Sequence, residues 1–336
     1  MNTNTDVAPR PIDFDPAARL AGVLVGFDGS TQSMLALHYA AVAARHSSRA
    51  LTVVTAFGAR AQIETARSST TDRSGSDHAL EAAKIVLNDA RRYLRNHPGP
   101  VAYRAERGDP SGVLANLSAE AELVVVGARG RGGFLGRIMG SVSSALPAHA
   151  HCPTIVVPRH YQIAAPEAQG RSDSPGSGPH PVLVGVDGSQ HSRIAALHAA
   201  QFAQDQHAPL HLLLVLPSLE GWLDWYPELD APDQGFIDRR RVQLEDFLHT
   251  EATWVRKHYP GLSVTCSVRP GDPAAQLSRS TREALLTVVG TRGRAGFSGA
   301  LLGSVSRSVL LQATGPVMVV PELHDARLRD QPGPLR

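Results

Sequence analysis

Lysine is almost missing from this sequence. The 33 lysines and arginines include only Lys84 and Lys257. A phosphate loop of the Gly-x-x-x-x-Gly-Lys-Ser/Thr kind needs a lysine at the start of its helix, and neither lysine stands in that context. Cysteine is as rare. Cys152 and Cys266 do not occupy matching places in the chain's internal repeat, which argues against a disulfide framework and for a reducing compartment, the cytoplasm. No apolar run approaches the roughly 20 residues that a membrane-crossing helix needs. The first residues, Met-Asn-Thr-Asn-Thr-Asp, have neither the basic start nor the apolar stretch of a secretory signal. A net charge of +2 gives no basis for nucleic-acid or membrane-surface binding.

What the chain does contain is a duplicated glycine pattern. Gly127-Ala-Arg-Gly130, nine residues, and Gly140-Ser141-Val142-Ser143 recur as Gly290-Thr-Arg-Gly293, nine residues, and Gly303-Ser304-Val305-Ser306. Each copy follows an apolar run, Leu123–Val126 in the first and Leu285–Val289 in the second. Three further landmarks return in the same order. Val-Gly-Phe-Asp28-Gly29-Ser30 matches Val-Gly-Val-Asp187-Gly188-Ser189, Gly108-Asp109-Pro110 matches Gly271-Asp272-Pro273, and Pro153-Thr-Ile-Val-Val-Pro158 matches Pro316-Val-Met-Val-Val-Pro321. A self-similar period of this length makes each half one folding unit. The expected organisation is a flexible N-terminal tail over 1–18, a domain over 19–160, a linker over 161–180, a second domain over 181–323 and a C-terminal tail over 324–336.

Within each half, apolar strands alternate with helical segments, which argues for a parallel sheet covered on both faces. The first half reads as strands 22–26, 51–57, 101–106, 123–126 and 154–157, with helices over 33–45, 77–96, 109–119 and 140–149. The second reads as strands 182–186, 211–216, 263–268, 285–289 and 317–320. In such sheets ligands bind beyond the carboxyl ends of the strands, where the strand order switches. That places Asp28, the end of the second strand and Gly127 at one edge, with Asp187, Val215 and Gly290 at its counterpart.

The chemistry of that edge follows from residue type. Glycines 127 and 130 permit close backbone approach, and the helix opened by Gly140-Ser141-Val142 offers free N–H groups and a positive dipole end to an anion. The Ser141 and Ser143 hydroxyls can donate to phosphate oxygens. Asp28 can accept from a ribose hydroxyl or base amino group, or hold a cation such as Mg2+ against the phosphates. Arg129 and Arg131, with Arg292 and Arg294, are either guanidinium contacts to phosphate or solvated loop charges.

Gly-x-x-Gly-x9-Gly-Ser behind an apolar strand, with Val-Gly-x-Asp-Gly-Ser at the start, resembles the universal stress protein family across both repeats. The resemblance implies an α/β fold of two tandem Rossmann-like domains of the adenine nucleotide alpha hydrolase-like kind, each a five-stranded parallel sheet between helices. It also implies the ATP-binding branch, with one ATP per domain. Carried over by position, Asp28, Ala56, Val126 and Gly127 would lie near the adenosine. Arg129 would border the turn, and Gly130, Gly140, Ser141, Val142 and Ser143 would hold the phosphates. The matching set is Asp187, Val215, Val289, Gly290, Arg292, Gly293, Gly303, Ser304, Val305 and Ser306. Strands 154–157 and 317–320 would pair, making the repeats an internal pseudo-dimer, with a homodimer of chains and a regulatory protein partner beyond it.

The function implied is a nucleotide-dependent sensor or regulator in stress response with at most slow ATP hydrolysis or autophosphorylation. Competing readings are a nucleotidyl-transfer enzyme on a related fold and a scaffold independent of nucleotide. The enzyme reading is weakened because Asp28-Gly29-Ser30, and no Ser-Gly-Gly series, follows the first strand. Other chemistry-bearing residues read as structural. His149, His151 and Cys152 lie at a helix-to-strand turn and have no counterpart ligands in the second repeat, while His38 and His198 fall at matching helix positions. Trp222, Trp225 and Tyr226 read as a packing or interface patch, and Ser68–Thr71 as a polar loop open to phosphorylation.

Overall fold

The computed structural model describes residues 11–58, 72–130, 139–162, 180–216, 234–293 and 302–335. In the first half, β2 (Gly22–Gly26), α1 (Thr31–His46), β3 (Leu51–Gly58), α2 (Asp72–Tyr93), β4 (Val101–Gly108), α3 (Pro110–Leu117), β5 (Ala121–Gly127), α4 (Ser141–His149) and β6 (Thr154–Val157) follow a short β1 (Ile12–Asp13). The second half repeats the series as β7 (Val182–Gly185), α5 (Gln190–Asp205), β8 (Leu210–Leu216), α6 (Gln234–His258), β9 (Val264–Pro270), α7 (Pro273–Ser280), β10 (Leu286–Gly290), α8 (Ser304–Gln312) and β11 (Val317–Val320). A two-residue β12 (Leu323–His324) follows β11.

Alternation inside the strands explains the layers. Val23 and Val25 belong to one core and Leu24 to the other. In the second half Val182 and Val184 take the first side and Leu183 the second. Both faces are apolar because both are roofed: α1, α2, α5 and α6 pack on one, and α3, α4, α7 and α8 on the other. Each fully buried aliphatic side chain contributes on the order of 1.5–3 kcal/mol. The helices start where polar caps stand. Ser30 and Ser189 accept from the N–H of Ser33 and Ser192 at 3.2 Å, and Asp109 and Asp272 cap α3 and α7 ahead of a proline in the first turn.

Each half is an all-parallel five-stranded sheet, and the two fuse into one sheet of ten strands ordered β4-β3-β2-β5-β6-β11-β10-β7-β8-β9. The seam is antiparallel. Val156 faces Val317, Ile155 faces Met318 and Thr154 faces Val319. The strands expected to pair do so within one chain. Helix α2 begins at Asp72, five residues before the expected start at 77.

The stretches read as tails are built into the body where the structure describes them. β1 pairs in parallel with β12. Beyond β12 the chain runs along α5 and α6. Asp330 accepts from Trp254 Nε1 at 3.1 Å, from Lys257 Nζ at 2.5 Å and from His258. Arg193, buried on α5, forms an ion pair with buried Glu251 at 2.6 Å and donates to Gln331 Oε1 and the Gly333 carbonyl at 2.9 Å each. Polar composition concealed this strap because its anchors are charges supplied by the helices, with Leu323, Leu328 and Leu335 as small apolar pegs.

Two measurements check this packing. Glu251→Ala leaves the Arg193 guanidinium buried without its carboxylate and is expected to cost about 3–5 kcal/mol in urea unfolding. Thr154 carries a buried hydroxyl with no hydrogen-bond partner at the seam. Thr154→Val is therefore expected to raise stability by about 1–2 kcal/mol, read as a higher urea midpoint at constant slope.

Candidate functional site

Two loops meet at the carboxyl edge of the first half. One leaves β2 and carries Asp28, whose Oδ1 accepts from the Ser30 N–H at 3.0 Å. The other leaves β5 through Gly127. A Cβ added at Gly130 would lie 2.6 Å from Asp28 Oδ2, so the glycine's backbone rests directly against the carboxylate. A Cβ at Gly127 would lie 2.7 Å from the Gln32 carbonyl oxygen in the first turn of α1. A larger residue at Gly127 must push the Gln32 backbone away, and one at Gly130 must displace the Asp28 carboxylate. Thr55, near the end of β3, donates to the Phe27 carbonyl at 2.7 Å and ties this edge to β2. Ala56 follows it, half-buried.

The glycine loop returns at Gly140, whose N–H donates to the Ala128 carbonyl at 2.9 Å. Gly140 is the N-cap of α4 and gives that helix no side-chain cap. The first-turn N–H groups of Ser141, Val142 and Ser143 are therefore left without a side-chain acceptor, at the positive end of a nine-residue helix. Ser141 is exposed and Val142 half-buried.

Ser143 departs from the sequence expectation. Its hydroxyl is buried and donates to the Ala128 carbonyl at 2.8 Å, with Gly140 O at 3.1 Å. It fixes the base of the loop instead of presenting a donor outward, although its backbone N–H keeps its place in the helix start. Val126 is buried in the sheet core, so it supports the site from beneath.

The second half reproduces this geometry. Asp187 Oδ1 accepts from Ser189 N at 3.0 Å and from Ser189 Oγ at 2.6 Å, and a Cβ at Gly293 would lie 2.5 Å from Asp187 Oδ2. Gly303 N donates to the Thr291 carbonyl at 2.7 Å and caps α8 without a side chain. Ser306 is turned inward like Ser143, onto the Gly290 carbonyl at 2.6 Å. Ser304 is exposed, Val305 and Val215 are half-buried, and Val289 and Gly290 are buried. Arg129 and Arg292 sit half-buried on the two turns. Arg131, Arg294, Trp222, Trp225, Tyr226 and Ser68–Thr71 lie outside the described residues.

Two residues at these edges escape a comparison of the repeats because they differ in type. Gln32 and His191 occupy the same first-turn position of α1 and α5, and their carbonyls meet Gly127 and Gly290. Gln32 Oε1 is buried without a hydrogen bond, and His191 Nε2 lies 3.2 Å from Glu322 Oε2, within ion-pair distance but without hydrogen-bond geometry. The only signal was position, two residues after each Gly-Ser pair. Elsewhere the histidine–cysteine turn is structural. His151 N donates to Ser118 Oγ at 2.8 Å, and burial pushes the Cys152 thiol up to about 12. Among the described residues no three His, Cys, Asp or Glu side chains converge on a metal position.

The doubled cradle on a doubled fold agrees with comparisons to known proteins. The sequence profile described as Universal stress protein family matches residues 22–158 and again 179–321. The chain belongs to the universal stress protein family. It is 32% identical over 310 residues to a universal stress protein of Mycobacterium tuberculosis strain H37Rv, covering 90% of this chain and 96% of that one. A universal stress protein of Mycolicibacterium smegmatis is 33% identical, with coverage of 89% and 96%. A crystal structure of a universal stress protein from Archaeoglobus fulgidus shares the fold at a TM-score of 0.61 and 19% identity, covering 90% of this chain and 97% of that one.

The close approach of Gly130 to Asp28 generates a test. On the reading proposed below, in which each cradle holds a nucleotide, Gly130→Val should displace the Asp28 carboxylate and weaken binding in the first half by about tenfold or more, a loss of at least ~1.4 kcal/mol. Binding in the second half should be unchanged. Titration calorimetry on the variant, with Gly293→Val as its mirror, reads the two halves separately.

Proposed function

We propose that this universal stress protein binds ATP in each half and uses the bound nucleotide to set its conformation or its choice of a regulatory protein partner. The observation that carries the reading is the pair of helix starts at Gly140 and Gly303. Both lack a side-chain cap, and both stand beside a glycine turn pressed against an aspartate from the first strand of its half.

The residues fit the ligand. The polyphosphate would lie on the N–H groups that open α4 and α8, with the hydroxyls of exposed Ser141 and Ser304 as further donors. Asp28 and Asp187 would accept from the ribose or base. Ala56 and Val126, with Val215 and Val289 in the second half, would line or support the adenosine side. Mg2+ would rely on phosphate oxygens and one aspartate, since Mg2+ is commonly held by one or two carboxylates plus substrate phosphates. The nucleotide supplies charge and shape for recognition, and this chain's groups orient it.

Sensing is favoured over efficient catalysis because no lysine is available to the phosphates. Lys84 pairs with Glu81 on α2 and Lys257 with Asp330 on the strap. The reading extends to a cytoplasmic protein and to a homodimer of chains. Since β6 and β11 already pair within the chain, that dimer would use another surface.

The test is the nucleotide released when the purified protein is denatured, identified by chromatography with mass detection. About two ATP per chain, one for each cradle, is the expected result. A protein that is empty and takes up no added ATP would leave the scaffold reading in its place. Rapid pyrophosphate release would favour the nucleotidyl-transfer reading.

A further inference from the structure

The strap that follows β12 reaches the second cradle. A Cβ added at Gly188 would lie 3.0 Å from Leu335 Cβ and 3.1 Å from Phe247 Cζ of α6. Gly188 follows Asp187, whose carboxylate lies against the backbone of Gly293. Its φ of +81° is a conformation that glycine enters and leaves at little steric cost. A packing contact at this residue therefore limits the motion of the whole turn.

The strap is fixed to the same helix start. Ser192 Oγ accepts from the Asp187 N–H at 3.3 Å, and Arg193 is the next residue of α5. Its guanidinium bonds Glu251 of α6 through Nε at 3.0 and 3.1 Å and through Nη2 at 2.6 Å. Gln331 Oε1 and the Gly333 carbonyl accept from Nη1 and Nη2 at 2.9 Å each. A guanidinium this buried needs acceptors for its donors, and the strap supplies two of them. The first half has Met34 at the position of Arg193, packed against the apolar core. The chain that leaves β6 takes another course and sets Tyr161 edge-on to Tyr39, with centroids 5.6 Å apart.

The side from which the strap arrives decides what it can do. Leu335 packs with the core beneath α5 and α6, whereas α8, which opens at Gly303, lies on the opposite face of the sheet. The strap therefore backs the Asp187 turn from the face away from Gly303.

We propose that the strap is a positioning element for the second cradle alone. Leu335 and Phe247 hold Gly188, and Gly188 holds the Asp187 carboxylate against Gly293. Strap docking and nucleotide binding in the second half then strengthen each other, a link that rests on ATP occupying the cradles as proposed from the helix starts. Such coupling is reciprocal: a docked strap tightens the nucleotide, and a bound nucleotide holds the strap by the same factor. Occupancy of the second site is thereby passed to a segment whose Gln331 and Gly333 are exposed.

Hydrogen exchange in the full chain tests the brace without nucleotide. Leu335→Asp should speed exchange of the amides of 188–192 about tenfold and leave those of 29–33 unchanged, and Leu335→Met should restore the native rate. Gln331→Ala, which takes one acceptor from Arg193, should act in the same direction and serves if Leu335→Asp misfolds. Titration with ATP tests the coupling. Leu335→Asp should weaken binding about tenfold in the second half, read in the Gly130→Val chain, and leave the first half, read in the Gly293→Val chain, unchanged. ATP bound to the native chain should slow exchange at Gly333 and Leu335 by a similar factor. Indifference of 188–192 to both substitutions, or an equal loss of affinity in both halves, would overturn the proposal. Faster exchange at 188–192 in a chain that takes up no ATP would uphold the brace and overturn the nucleotide reading instead.

Discussion

The antiparallel contact between β6 and β11 is the constraint on which the rest of the architecture depends. Three residues on each strand, Thr154–Val156 and Val317–Val319, convert two parallel sheets into one sheet of ten strands. Without it each half would expose the backbone edge of its last strand, a row of unpaired N–H and C=O groups open to other chains. Pairing inside one chain removes both edges together and brings α1 and α5 onto the same face. It also creates a space of about 340 Å3 between them, lined by residues of both halves.

The glycine cradles depend on the sheet in another way. A parallel sheet carries its loops at the carboxyl edge, and there the ends of β2 and β5 lie side by side because the strand order reverses between them. That adjacency lets Asp28 touch Gly130, and Asp187 touch Gly293, across about a hundred residues of sequence. Ser143 and Ser306 pin the return of each loop to the strand it left. The backbone N–H groups that open α4 and α8 are thus positioned by covalent geometry and inward hydrogen bonds.

Legibility in the sequence followed the range of the interactions involved. Strands such as 22–26 and 154–157 were readable to the residue because continuous apolar runs have no alternative in a sheet covered on both faces. Glycine spacing located the loops because a backbone approached this closely tolerates no side chain. The inward turn of Ser143 was not readable, since a serine after a helix start fits either an outward donor or an inward tether, and only the Ala128 carbonyl decides between them. The strap was missed for a related reason. Asp330, Gln331 and Gly333 look like solvent-facing residues until Trp254, Lys257 and Arg193 are placed beside them.

Joining the halves antiparallel also fixes where their loops look. Within each half the strands share one direction, and the seam reverses it, so the carboxyl edge of the first half and that of the second lie at opposite ends of the ten-stranded sheet. The helix starts at Gly140 and Gly303 therefore lie at opposite edges of the sheet. A flat partner surface can press on one of them at a time, and a partner that reads both must wrap around the molecule or be present in two copies. Valency toward the outside world is written into the antiparallel direction of a three-residue seam.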